Sequence, residues 1–178
     1  MKTCRHLVAE ALRFRLRNGK PFRYKRHWTA IALVIATTSL SAQPLRFGQA
    51  AVNITPPDGM PFQVPQRPPF PVIPATGTHD PLQAKAVVFE SGGVKAAIVS
   101  CDLTSIPIDI HRAARAHVAK ISSVPPENVM ITATHTHTVP NIRPRFFANA
   151  SPAQKKVATE YLERLPKLIA ESVQRAEQ

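Results

Sequence analysis

The chain has little cysteine, no long apolar run and no finished metal-binding motif. Of its two cysteines, Cys4 lies in a basic leader and Cys101 in the strand-like run AAIVSCDL. Loss of the leader leaves Cys101 alone, so no internal disulfide forms, and its setting is that of a small core hydrophobe rather than a nucleophile. The longest apolar stretch, WTAIALVIATTSLSA, has about 15 residues, short of the roughly 20 that span a bilayer as a stable helix. Acidic residues are scarce, 11 against 23 Lys and Arg, giving a formal charge of +12. That excess is local: residues 1–28 hold nine Lys/Arg against Glu10 alone, and the other 150 residues are only mildly basic. No basic-plus-aromatic pattern accompanies the charge, which argues against a nucleic-acid partner. HExxH, H-x-x-E-H and a second HxH are all absent.

What is present begins with an address. A basic segment, then the apolar run, then the small residues Ser39, Ser41 and Ala42 have the shape of a signal peptide. The expectation is export, to the periplasm or outside the cell; an uncleaved leader acting as a membrane anchor is the alternative. Residues 1–42 are accordingly set apart as leader, and 43–178 as one domain.

Within that domain AAVNIT alternates as a strand does, and Pro56-Pro57-Asp58-Gly59 ends it in a turn. A proline-rich loop follows at about 56–76, with prolines at 61, 65, 68, 69, 71 and 74 and no periodic apolar pattern. It is expected to be irregular rather than part of a sheet, because proline removes ladder donors. QAKAVVFE and VKAAIVSCD, parted by Ser91-Gly92-Gly93, predict a hairpin. Ile110, Ala114, Val118 and Ile121 recur at helical spacing, with Pro107 in the first turn and Ser105 as the expected cap. NVMITAT predicts another strand. Ser151-Pro152-Ala153-Gln154 has the form of a capping box opening a last helix, which Pro166 should kink or interrupt. The fold class is therefore α/β: a mixed β-sheet flanked by helices, in the order β-β-β-α-β-α.

Chemistry concentrates in ITATHTHTVP, residues 131–140. On a strand, residues i and i+2 share a face, so His135 and His137 would present two imidazoles side by side at a strand exit. Such a pair can supply two ligands to one zinc, or one ligand and one group that binds substrate or an oxyanion. His79-Asp80 reads as a His–carboxylate pair beside a site or as turn chemistry before a strand. Asp102 stands where α/β folds place active-site carboxylates, and equally where a loop needs an acceptor. Arg143 and Arg145 follow the His pair closely enough to meet an anionic group, though solvated surface is their default. His111 and His117 read as helix residues rather than ligands.

Taken in order, GQAAVNITPPDG (48–59), GTHDPLQAKAVVFESGG (77–93), VKAAIVSCDL (94–103), PPENVMITATHTHT (125–138) and YLERLPKLIAESVQRA (161–176) resemble the N-terminal part of the neutral/alkaline non-lysosomal ceramidase family. The resemblance implies a zinc amidohydrolase that cleaves the N-acyl bond of ceramide or related N-acyl lipids, meeting the membrane surface only as the source of substrate. It implies His135 as a zinc ligand, His137 as the catalytic and substrate-side neighbour, and the turn around Gly59 as site-lining. The family continues Ser-Gly-Pro after the second His, where this chain has Thr138-Val139-Pro140. The family's other zinc ligands, a His, a Glu and a Tyr, come later than this sequence extends. The expectation is thus half of a catalytic domain, completed by a downstream-encoded chain or a longer product. Two other readings stand beside it: a non-catalytic remnant or binding module of the same fold, and a barrel amidohydrolase. The last would carry HxH on its first strand, whereas here at least three strands and a helix precede the pair.

Overall fold

The computed structural model describes residues 43–63, 72–140 and 142–178. Residues 1–42, on which the expected leader and signal peptide fall, the middle of the proline-rich stretch and Asn141 lie outside the described residues. No helix among those described is long and apolar enough to cross a membrane.

Strand β1 (Arg46–Asn53) leads to a short pair, β2 (Pro61–Gln63) and β3 (Val72–Pro74), and then to β4 (Gln83–Ser91) and β5 (Val94–Cys101). Helix α1 (Ile108–Ile121) crosses to β6 (Val129–Ala133), and α2 (Pro152–Glu177) closes the described chain. Four strands form one sheet in the order β1-β4-β5-β6. The first three are antiparallel neighbours, whereas β6 runs parallel to β5, so the sheet is mixed as expected. The β4–β5 turn is made by Gly92 and Gly93 alone, at φ 57° and 79°. Two successive positive φ angles match the twist of the flanking strands, and only glycine adopts them without strain.

The proline-rich stretch differs from its expectation. Pro61 pairs with Pro74, Phe62 with Ile73 and Gln63 with Val72, forming a small antiparallel ladder. The prolines sit at its ends, and the residues between them keep their amide donors. Ala75 and Gly59 extend the pairing, through Ala75 N–H to the Met60 carbonyl (2.8 Å) and Gly59 N–H to the Ala75 carbonyl (2.7 Å).

Burial in the sheet follows strict alternation. Val52, Ala84, Ala86, Val88, Ala97, Val99, Cys101, Val129 and Ile131 face inward and are buried. Helix α2 lies over β1 and β4 and packs on α1. Ile110, Ala114 and Val118 of α1 join the core, as the helical spacing requires, while Ile121 at the helix end is partly exposed. Pro107 caps α1 without a side-chain bond, and Ser105 is not its cap: the Ser105 hydroxyl instead accepts from Arg143 Nε at 3.2 Å. Ser151 and Gln154 form the reciprocal capping box at the start of α2. The helix runs on through Pro166 without interruption. Tyr161, Leu165, Ile169 and Val173 are buried on both sides of the proline, and that packing outweighs one lost backbone bond. The Tyr161 hydroxyl, driven up in pKa by burial and then by the neighbouring Cys101 thiol, donates to the Ile54 carbonyl at 2.6 Å. It thereby ties α2 to the end of β1. On the alternate face several large apolar side chains are exposed: Phe47 is 70% exposed, Met130 59% and Ile98 44%.

At the far end of the sheet Glu177 gathers three elements. Its carboxylate accepts from Lys95 Nζ (2.7 Å), the Ser122 hydroxyl (2.7 Å), the Ser123 amide (3.0 Å) and the Ser123 hydroxyl. Burial opposes the charge, but those donors outweigh it and hold the carboxyl down at about 2, below its ordinary 4.5. Its stabilisation is therefore complete above pH 4.5 and is lost as pH falls through 2. Glu177→Gln should lower the thermal midpoint at pH 7 by about 5 °C. It should also flatten the fall in stability below pH 4.5; acid-range melts of both proteins check this. Close by, a Cβ on Gly48 would lie 2.1 Å from the Ala176 carbonyl oxygen. Gly48→Ala should cost about 1–3 kcal/mol, measured as a lower urea midpoint at unchanged slope.

Candidate functional site

Strand β6 ends at Ala133, so the His pair stands beyond the strand, not on it. The pairing with β5 nevertheless continues. Thr134 N–H donates to the Cys101 carbonyl (2.9 Å) and His135 N–H to the Leu103 carbonyl (3.0 Å). At His135 the backbone then turns left-handed, φ 63°. Alternation along a strand is therefore not what brings the imidazoles together; a left-handed residue is. Non-glycine residues in this region are uncommon, and such strain clusters at functional sites.

The result is a convergent pair. His137 Nε2 lies 3.4 Å from His135 Nε2, with ring centroids 4.9 Å apart and planes at 86°. Both rings are exposed. His135 Nδ1 is 2.6 Å from the Thr104 carbonyl oxygen. A carbonyl only accepts, so Nδ1 carries the proton and Nε2 keeps its lone pair toward His137. The Thr104 hydroxyl donates to the Thr136 carbonyl at 2.9 Å. Thr104 thus holds the loop from both sides of His135, a role that spacing could not reveal because the contact spans about thirty residues of sequence.

The spacing of the two Nε2 atoms suits a metal. With Zn–N bonds of about 2.0–2.1 Å in tetrahedral geometry, two ligand nitrogens stand roughly 3.3–3.4 Å apart. It equally suits one ligand and one donor to substrate. Among the described residues no group of three or more His, Cys, Asp or Glu side chains is gathered as a cage. The site therefore offers two nitrogens of the three protein ligands that a catalytic zinc needs.

The remaining candidates fall into separate places. His79 Nδ1 is 3.0 Å from Asp80 Oδ2, and both side chains are almost fully exposed. They line a cleft of about 370 Å³ with Asp58, Phe62, Thr138 and Pro140, so this pair reaches the His loop through Thr138. Gly59, at φ 84°, lies in a different shallow groove beside Val157 and the start of α2. Asp102 works on the backbone: its Oδ2 accepts from Gln83 N–H at 3.1 Å and sits 3.6 Å from Lys85 Nζ. Arg145 stacks over Phe146, 4.8 Å from the ring centroid. His111 and His117 lie half-buried on α1. Burial first, then Arg115 and Arg112, lower the pKa of His111. For His117 the causes are burial, then Lys120 and Lys167. Cys101 is fully buried, and desolvation followed by the Asp102 charge pushes its thiol up to about 12, away from thiolate chemistry.

No family model matches the chain, and no curated protein does. Solved structures do. A neutral ceramidase from Pseudomonas aeruginosa matches with a TM-score of 0.58 and 27% identity over 75% of this chain. A ceramidase complexed with C2 matches with the same TM-score and 25% identity, again over 75%. The chain spans 21% of the length of each. The described fold is thus similar to part of a neutral ceramidase, as the ordered sequence blocks implied.

Proposed function

We propose that this chain carries part of a zinc-dependent amidohydrolase site of the ceramidase type, acting on the N-acyl bond of ceramide-like lipids. The observation that carries the reading is the convergence of His135 Nε2 and His137 Nε2 at 3.4 Å, within a fold similar to neutral ceramidase. That similarity supports a ceramidase-like hydrolase at the family level. In this reading His135 is the metal ligand, because the Thr104 carbonyl engages its Nδ1–H and leaves the Nε2 lone pair on the side of His137, where a metal would bind. His137, its ring turned across that of His135, stands on the substrate side. There an imidazole N–H can donate to the oxygen charge that develops as the acyl carbon is attacked. Zinc, when bound, would polarise the acyl carbonyl and lower the pKa of a water.

The missing donors are assigned to a completing chain or a longer product. Two observations support this. The chain spans 21% of the solved ceramidase chains. Its parallel β5–β6 pair also leaves Ile98 and Met130 exposed, whereas parallel strands are normally covered on both faces. In this proposal the basic segment and apolar run that open the sequence support export, to the periplasm or outside the cell, with a membrane anchor as the alternative. A second reading, a binding module of the same fold without turnover, is favoured by the lack of a three-donor group among the described residues.

Zinc titration of the whole chain tests the first reading. About one equivalent should bind, and His135→Ala should weaken binding at least about ten-fold. His137→Ala should weaken it less, since its role is on the substrate side. Failure to retain zinc, with no effect of His135→Ala, overturns the proposal. N-acyl lipid hydrolysis that appears only on adding a completing chain separates an enzyme half from a binding module.

A further inference from the structure

We propose that Thr104 is a positioning residue that fixes which nitrogen of His135 faces the site; the inference rests on the reading of His135 and His137 given above. Thr104 lies just past β5, and its two polar groups reach opposite sides of the His loop. Its carbonyl accepts from His135 Nδ1–H at 2.6 Å, and its hydroxyl donates to the Thr136 carbonyl at 2.9 Å. Between these two bonds sits the left-handed residue itself, φ 63°. The bonds from Thr134 and His135 amides to Cys101 and Leu103 anchor the backbone only up to that point. Beyond it, the Thr104 hydroxyl makes the first bond that returns the loop to the frame, ahead of buried Val139 and the Arg143–Ser105 contact.

The surrounding contacts favour Thr104 over the loop alone as the holder of this segment. The Thr136 and Thr138 hydroxyls bond each other at 3.1 Å, a contact internal to the loop that ties it to nothing rigid. Arg143 reaches Ser105, so the later part of the loop also leans on the segment that follows β5. Leu103 beside Thr104 is fully buried, which fixes that segment in the core. Thr104 is half-buried, so water competes weakly for its hydroxyl. Being β-branched, it also has few rotamers with which to lose the bond.

Carbonyl acceptance forces the Nδ1–H tautomer on neutral His135, opposite to the Nε2–H form that free histidine favours. On this proposal, loss of the hydroxyl releases the Thr136 carbonyl, and the His135 Nδ1 contact with the Thr104 carbonyl, 2.6 Å here, should lengthen. The Nε2 lone pair is then no longer committed to the site.

The test uses the whole, metal-free chain, with Thr104→Val and Thr104→Ala removing the donor and Thr104→Ser keeping it. Nitrogen-15 spectra of the imidazoles at about pH 8 report the tautomer. Wild type and Thr104→Ser should show His135 as Nδ1–H, and Thr104→Val and Thr104→Ala a substantial Nε2–H fraction. Zinc affinity should fall about ten-fold in the donor-free variants and recover in Thr104→Ser. Thermal midpoints should stay within about 3 °C of wild type. A wild-type His135 already in the Nε2–H form, or donor-free variants with the wild-type tautomer, overturns the proposal. If wild type binds no zinc, the functional reading fails while the tautomer still decides the role of Thr104.

Discussion

The pairing of β5 with β6 does not stop where the strands do, because Thr134 and His135 go on donating to Cys101 and Leu103. Everything that makes the His loop a site follows from that overrun. It brings the residues after Cys101 alongside the His-Thr-His segment, so that one carbonyl and one hydroxyl of Thr104 can grip it. It also supplies the purchase against which His135 holds a left-handed backbone. The crossover through α1 is what lets β6 lie parallel beside β5, and α1 is held there by its apolar stripe against α2. Helix, sheet and imidazole geometry are thus one chain of dependence, running from the core outward.

Much of this was legible in the sequence, for reasons that differ by element. The glycine pair at 92–93 announced the hairpin because few residues tolerate two positive φ angles. The capping box at Ser151 and the stripe through Ile110, Ala114 and Val118 were visible because helices write short-range patterns. Long-range choices were not. Ser105 has the chemistry of a cap but spends its hydroxyl on Arg143, nearly forty residues away. Pro166 has the signature of a break, but burial on both sides keeps the helix continuous. The β2–β3 ladder was hidden because proline counts say nothing about which positions the donors occupy.

The site shows the same division. The HxH spacing pointed to the right residues by an argument the structure replaces: the imidazoles meet through a left-handed turn, not through a shared strand face. Asp102 sits where a carboxylate could serve chemistry, and here it serves the Gln83 amide and Lys85. His79 and Asp80 do approach the loop, but through a cleft that Thr138 also lines rather than through the imidazoles. Similarity to part of a neutral ceramidase therefore rests on fold and on the ordered blocks, while the two convergent nitrogens give it chemical content.

The exposed apolar side chains on the sheet's other face have a consequence of their own. Phe47 stands on the β1 edge strand, Ile98 on β5 and Met130 on the β6 edge strand, and β6 itself carries no charged residue of the gatekeeping kind. To a chaperone, such a surface is a client. Exposed apolar side chains of this kind favour association with another apolar surface. Whatever apolar surface covers these side chains does so on the side of the sheet opposite the helices, away from the α1–α2 packing behind the His loop.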